Sequence, residues 1–135
     1  MPIEYNHTIP TQEQALNLYT DAEWLAYTND SDKLMAAIHN AQDVICAFDG
    51  DTLVGLIRSV GDKTSILYIQ DILVLKAYKR RGIAKQLVNL LLNQYPEVRQ
   101  VVLLTDDKAE TRGFYTAMGF SSADDGRLVG FCKFR

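Results

Sequence analysis

A strand, a full-length helix and a second strand in unbroken succession constrain this chain more than any other part of it. The apolar run over residues 64–74 leads through a basic turn into Ala84, Leu87, Val88, Leu91 and Leu92. These recur at helical spacing until Pro96 closes the helix, and residues 98–105 are apolar again. Two strands separated by a helix cannot form a hairpin. They lie parallel in one sheet, joined by a right-handed crossover, and the rest of the fold must be built around that unit.

Upstream, Thr11 with Gln14 forms a capping-box start for a helix that turns Ala15, Leu18, Tyr19 and Ala22 to one face. A second helix begins near Asp30 or Ser31 with Leu34, Ala37, Ile38 and Ala41 inward. The apolar runs 44–48 and 53–60 are separated by Asp49-Gly50-Asp51, a hairpin signal, and Gly61-Asp62-Lys63 marks the turn into residues 64–74. Downstream, a short helix over 109–118 stops at Gly119, and residues 127–134 read as a last strand. The expected class is α/β in the sense of a mixed α+β sheet, an antiparallel meander plus one parallel β-α-β unit. With 135 residues, 47% of them hydrophobic, a single domain over residues 1–135 is expected.

The turn between strand and helix carries the chemistry. The first N–H groups of a helix have no partner inside it, and the helix dipole makes that end attractive to anions. Small residues at Gly82 and Ala84 open the backbone to close approach. Lys76, Lys79, Arg80, Arg81 and Lys85, five of the chain's 14 basic residues, surround it with no acid among them. A pyrophosphate fits such a place. No Gly-x-x-x-x-Gly-Lys-Ser/Thr loop occurs and no Gly-x-Gly-x-x-Gly, so the two commonest nucleotide loops are excluded.

A net charge of -3 argues against a nucleic-acid footprint. No stretch approaches a membrane span and the N-terminus lacks a signal-peptide pattern, so a cytoplasmic protein is expected. Cys46 and Cys132 do not suggest a disulfide framework, and with His7 and His39 they show no metal-ligand spacing, so no metal is expected. An acidic surface around one basic spot suits an anionic cofactor in one place and a cationic substrate in another. It serves equally as a solubility device.

Lys79-Arg80-Arg81-Gly82-Ile83-Ala84 resembles the acetyl-CoA motif of the GNAT superfamily of N-acetyltransferases, Gln/Arg-x-x-Gly-x-Gly/Ala at a strand-to-helix junction. Asp71-Ile72-Leu73-Val74 and Tyr78 resemble the family's approach to that motif. Phe114-Tyr115 followed by Gly119-Phe120 resembles its later Phe-Tyr-x-x-x-Gly-Phe element. The element order is similar to the GNAT fold over essentially the full length. Lys79 departs from the family's preferred glutamine or arginine. Lys108 stands where the family often has a cofactor-touching asparagine, and that contact is not carried over.

The resemblance implies that the two parallel strands splay apart and that acetyl-CoA enters the gap. Lys79, Arg80, Arg81, Gly82, Ile83, Ala84 and Lys85 would hold its pyrophosphate. The backbone of Ile72, Leu73 and Val74 would bond the pantetheine arm and polarise the thioester carbonyl. Tyr115 matches the general acid that protonates the departing thiolate, a role open to a phenol because it keeps its proton at neutral pH. A lone tyrosine beside Phe114 and Met118 on a short helix is more often core packing, and it is the motif context that favours the catalytic role. The acceptor amine must lose a proton before attack, and Asp71 is the candidate base. An aspartate at a strand edge contacting solvent is the alternative reading. No covalent catalysis is expected from either cysteine.

In GNAT enzymes the segment between the first two helices often walls the acceptor site, and here it holds Trp24 and Tyr27 among acids. These suit an amine through charge and cation–π contact, though a helix-end cluster packed on the core explains them as well. The expected activity is direct transfer of acetyl from acetyl-CoA to a primary amine of a small molecule. The alternatives are a non-catalytic acyl-CoA-binding or regulatory module and an acetylator of a protein amino group. A homodimer is a family expectation.

Overall fold

A computed structural model describes residues 2–135. The chain forms two compact units, one ending at Leu103 and the other running over Leu104–Arg135. The first contains β1 (Glu4–Asn6), α1 (Gln12–Asp21), α2 (Leu25–Thr28), α3 (Ser31–Asn40), β2 (Asp43–Asp49), β3 (Thr52–Gly61), β4 (Ile66–Val74), α4 (Ile83–Gln94) and β5 (Gln100–Leu103). The second contains α5 (Ala109–Ala117) and a 3-10 turn, Ala123–Asp125.

The sheet has the order β1-β2-β3-β4-β5 and is mixed. β1 to β4 pair antiparallel, and β4 pairs parallel with β5, as the intervening helix requires. The capping box of α1 is present, with Thr11 Oγ1 accepting the Gln14 N–H at 3.1 Å and Gln14 Oε1 accepting the Thr11 N–H at 2.9 Å. Asp30 caps α3 by accepting the Lys33 N–H at 3.2 Å.

β3 is the central strand and its side chains from Leu53 to Ser59 are buried without interruption. It is covered on both faces, which is why its sequence from Leu53 to Ile57 is continuously apolar instead of alternating. On one face α4 packs closely because position 55 is glycine: a Cβ there would stand 3.0 Å from Ile83 Cγ2 and 3.3 Å from Leu87 Cδ1. On the opposite face Arg58 meets Tyr19 and Tyr27 of the α1–α2 segment through Asp71.

Three differences from the sequence reading have physical causes. β4 begins at Ile66 instead of residue 64, because Asp62 Oδ1 accepts the N–H groups of Thr64, Ser65 and Ile66 at 2.9, 2.7 and 3.1 Å. Those donors are held in a turn. Two short elements, β1 and α2, were not expected; each is held by its neighbours more than by its own three or four residues. The strand expected over residues 127–134 is not formed. Residues 128–135 have no regular structure, and Leu128, Val129, Phe131 and Phe134 are exposed, Phe131 at 96%. Strand propensity without a paired neighbour leaves the ladder unmade.

Candidate active site

The turn from β4 into α4 is built on two left-handed residues, Arg80 at φ 66° and Gly82 at φ 79°, with Gly82 as the N-cap of α4. Glycine takes that conformation without penalty and offers no side chain to cap the helix. The first helical bond is from Gln86 N–H to Gly82 C=O at 3.0 Å. Among the described residues the N–H groups of Ile83, Ala84 and Lys85 therefore have no acceptor. The Ile83 side chain is buried and anchors the turn, leaving its main chain outward, while Lys79, Arg80, Arg81 and Lys85 are exposed around it.

Two contacts fix the approach to this turn. Tyr78 donates its hydroxyl to Asp49 Oδ2 at 2.5 Å, a bond that pushes the phenol's pKa up, and the Arg81 guanidinium lies 4.8 Å above the Tyr78 ring. Lys76, the fifth cation of the cluster, is turned the other way: its Nζ is 3.1 Å from Glu23 and its N–H donates to Asp21 Oδ2 at 2.8 Å. It ties the α1–α2 segment to the turn. The donor set that remains, three free N–H groups within a ring of four cations, fits a pyrophosphate.

β4 supplies the second half of the site. Its pairing with β5 ends at Ile69↔Leu103, whereas its pairing with β3 continues through Ile72↔Ile57, Leu73↔Leu56 and Val74↔Gly55. The Leu75 N–H bonds to the Val54 C=O at 2.9 Å and sets the phase. Backbone groups of alternate residues face β3, so those of Leu73 do, and those of Ile72 and Val74 face the edge that β5 has left.

Asp71 follows Gln70 on the same strand and is 2% exposed. Three donors converge on its carboxylate: Tyr19 hydroxyl to Oδ2 at 2.9 Å, Arg58 Nε to Oδ2 at 2.8 Å, and Tyr27 hydroxyl to Oδ1 at 2.9 Å. Arg58 Nη2 also donates to the Tyr27 oxygen at 2.7 Å. Burial foremost, with the Asp71 charge adding to it, pushes the Tyr19 and Tyr27 hydroxyls above their ordinary pKa, so both remain donors. Trp24 joins them: its ring and that of Tyr27 both flank Tyr19, at 5.7 and 5.2 Å between centroids, edge to face.

Tyr115 belongs to the second unit. It lies on α5, half-buried between the rings of Phe114 and Phe120, 5.0 and 5.6 Å away and both edge to face, and burial raises its pKa. Arg112 on the same helix binds Asp107 at 2.6 Å and Asp124 at 3.0 Å, which ties the start of α5 to the 3-10 turn that follows it.

Sequence reasoning missed Arg58 and Tyr19. The signal was there: Arg58 is the one charge in the apolar run 53–60, as Asp71 is in 66–75, and a charge in a buried strand needs a partner on its neighbour.

The comparisons with known proteins agree with this geometry. Residues 8–134 match the family model of the acetyltransferase (GNAT) domain. A GNAT-family acetyltransferase of Streptococcus pneumoniae is 32% identical, with 99% of this chain and 97% of that one covered and a TM-score of 0.85. Two aminoglycoside acetyltransferases from uncultured soil samples share the fold at low identity. One is 18% identical with coverage of 100% and 99% and a TM-score of 0.74. The other, in complex with sisomicin, is 20% identical with coverage of 99% and 95% and a TM-score of 0.65. Among curated proteins none is similar enough in sequence to count as a match. A family match spanning nearly the whole sequence, together with the broken β4–β5 ladder and the uncapped basic helix start, makes the chain a member of the GNAT acetyltransferase family.

Proposed function

We propose that this protein transfers the acetyl group of acetyl-CoA directly to a primary amine of a small molecule. The observation that carries the reading is the continuity of two main-chain surfaces, the free N–H groups of Ile83, Ala84 and Lys85 and the unpaired edge of Ile72 and Val74. They are joined by one turn and suit the two ends of a pyrophosphate-linked pantetheine. The acyl-CoA would supply an acyl group already activated as a thioester. The chain's own contribution is to hold the diphosphate with Lys79, Arg80, Arg81 and Lys85 about Gly82, Ile83 and Ala84. Main-chain donors of the β4 edge, with Leu73 fixing their phase against β3, polarise the acyl carbonyl.

In this reading Tyr115 supplies a proton to the leaving sulfur and Asp71 is the final base for the acceptor's proton. Trp24 and Tyr27 wall the acceptor. A single domain over residues 1–135 belongs to the same proposal, supported by the family match running through both compact units. The small-molecule acceptor is supported by the aminoglycoside acetyltransferases that share the fold. On the same grounds sisomicin is the first acceptor to try, and the rings of Trp24 and Tyr27 add simple arylalkylamines to the screen.

Calorimetric titration with acetyl-CoA tests the binding half. The native chain should bind at micromolar concentration, and Gly82→Val, which puts a branched residue into a left-handed position at the helix start, should not. Amine-stimulated release of free CoA thiol tests the transfer half. Binding without thiol release for any amine would leave a non-catalytic acyl-CoA module and overturn the enzyme reading.

A further inference from the structure

We propose that the acceptor's proton reaches Asp71 through the hydroxyl of Tyr27, with Arg58 as the positioning residue that holds phenol and carboxylate in line. The inference rests on the acetyl-transfer reading above and assigns to Tyr27 a role for its oxygen in place of its ring face.

Three observations carry it. Asp71 is enclosed: at 2% exposure, with Tyr19, Tyr27 and Arg58 covering its oxygens, it offers no surface to an incoming amine. Of its three partners only Tyr27 is half-buried, the other two being buried, so the outward route from the carboxylate runs through that phenol. The Tyr27 oxygen is also organised for exchange. It donates to Asp71 Oδ1 at 2.9 Å and accepts a 2.7 Å bond from Arg58 Nη2. Among the described residues its remaining acceptor direction is met by the exposed Gln70 side chain alone, whose Nε2 is 3.4 Å away. A bond that long from a side chain in solvent is readily replaced by an ammonium N–H.

The step balances without an added reagent. The acceptor's N–H bond breaks and its proton passes to the Tyr27 oxygen. The Tyr27 O–H bond breaks in concert and that proton forms the acid of Asp71 at Oδ1. The amine keeps the electron pair with which it attacks the acyl carbon. Reversal through Tyr27 after product leaves returns the proton to water. Oδ2, which already accepts from Tyr19 and Arg58, takes no part, so the proton enters and leaves by one route, through Oδ1 and Tyr27. The groups that face the phenol oxygen are Asp71 and Gln70 from β4 and Arg58 from β3, with Tyr19 of α1 edge-on to its ring.

The test is the pH profile of kcat/KM for phenethylamine and for its β,β-difluoro analogue, which is far less protonated at neutral pH, with the wild type and Tyr27→Phe. The variant keeps the ring and removes the oxygen. It should lose about 100-fold with phenethylamine at pH 7, the scale of general-base assistance. The loss should shrink as pH approaches the alkylammonium pKa of about 10 and should be small throughout for the fluorinated amine. Arg58→Lys should give an intermediate loss with the same pH dependence. Equal losses for both amines, which a folding defect or a merely aromatic wall would give, overturn the relay. A wild type that releases no thiol with these or any other amine removes the acetyl-transfer reading and the relay together. A wild type that transfers, matched by an equally active Tyr27→Phe, removes the relay alone.

Discussion

Arg58 and Asp71 are paired at 2.8 Å with side chains 7% and 2% exposed, and neither can be removed alone without burying a charge that has no counterion. Arg58→Met should therefore lower the urea unfolding free energy by about 3–5 kcal/mol, whereas Arg58→Met combined with Asp71→Leu should regain most of it. Identical urea midpoints for the single variant and the wild type would show that the pair is solvated in solution. Tyr115 offers the complementary case: among the described residues its ring packs against Phe114 and Phe120 and its oxygen has no hydrogen-bond partner to lose. Tyr115→Phe should leave acetyl-CoA affinity and stability near wild-type values and reduce turnover; steady-state kinetics with unaltered kcat would remove it from the catalytic assignment.

At the scale of elements, the placing of α4 is the decisive event, since its first turn is the proposed diphosphate site. Gly55→Ala would set a methyl 3.0 Å from Ile83 Cγ2 and push the helix start outward. Overpacking of this kind should cost about 1–3 kcal/mol, and calorimetry should show weakened acetyl-CoA binding although residue 55 touches no ligand. The sequence made α4 and its turn legible because helical periodicity, a glycine and a cluster of cations coincide there. It made the β4–β5 crossover legible because topology leaves two strands around a helix little choice. Tyr27 was legible as an aromatic at the acceptor wall but not as a hydroxyl on Asp71, because contact between residues 44 positions apart depends on how α2 is seated, and α2 is a single turn with no pattern of its own. The segment 127–134 misled for a related reason: strand-like composition reports what a strand would bury, not whether an edge is available to pair with it.

For the molecule as a whole, its two thiols should behave oppositely. Burial pushes the Cys46 thiol up to about 12, while Cys132 is exposed. A thiol-specific reagent at neutral pH should modify Cys132 promptly and Cys46 only after denaturation; two equally fast thiols would contradict the packing of β2. The same burial links folding to pH. A thiol that titrates near 9 when unfolded and near 12 when folded stabilises the native state fully below pH 9. That contribution is lost as pH rises toward 12, and the raised tyrosines Tyr19 and Tyr27 act in the same direction above pH 10. Thermal melts should fall progressively from pH 9 upward, less steeply in Cys46→Ala when each is compared with its own value at pH 8. The contact between Gly55 and Ile83 also has a history to tell across species. Two positions 28 apart in sequence share one fixed volume, so a homologue that has gained a side chain at the first should have shed carbon at the second, and the pair should drift together while the residues around each stay unchanged.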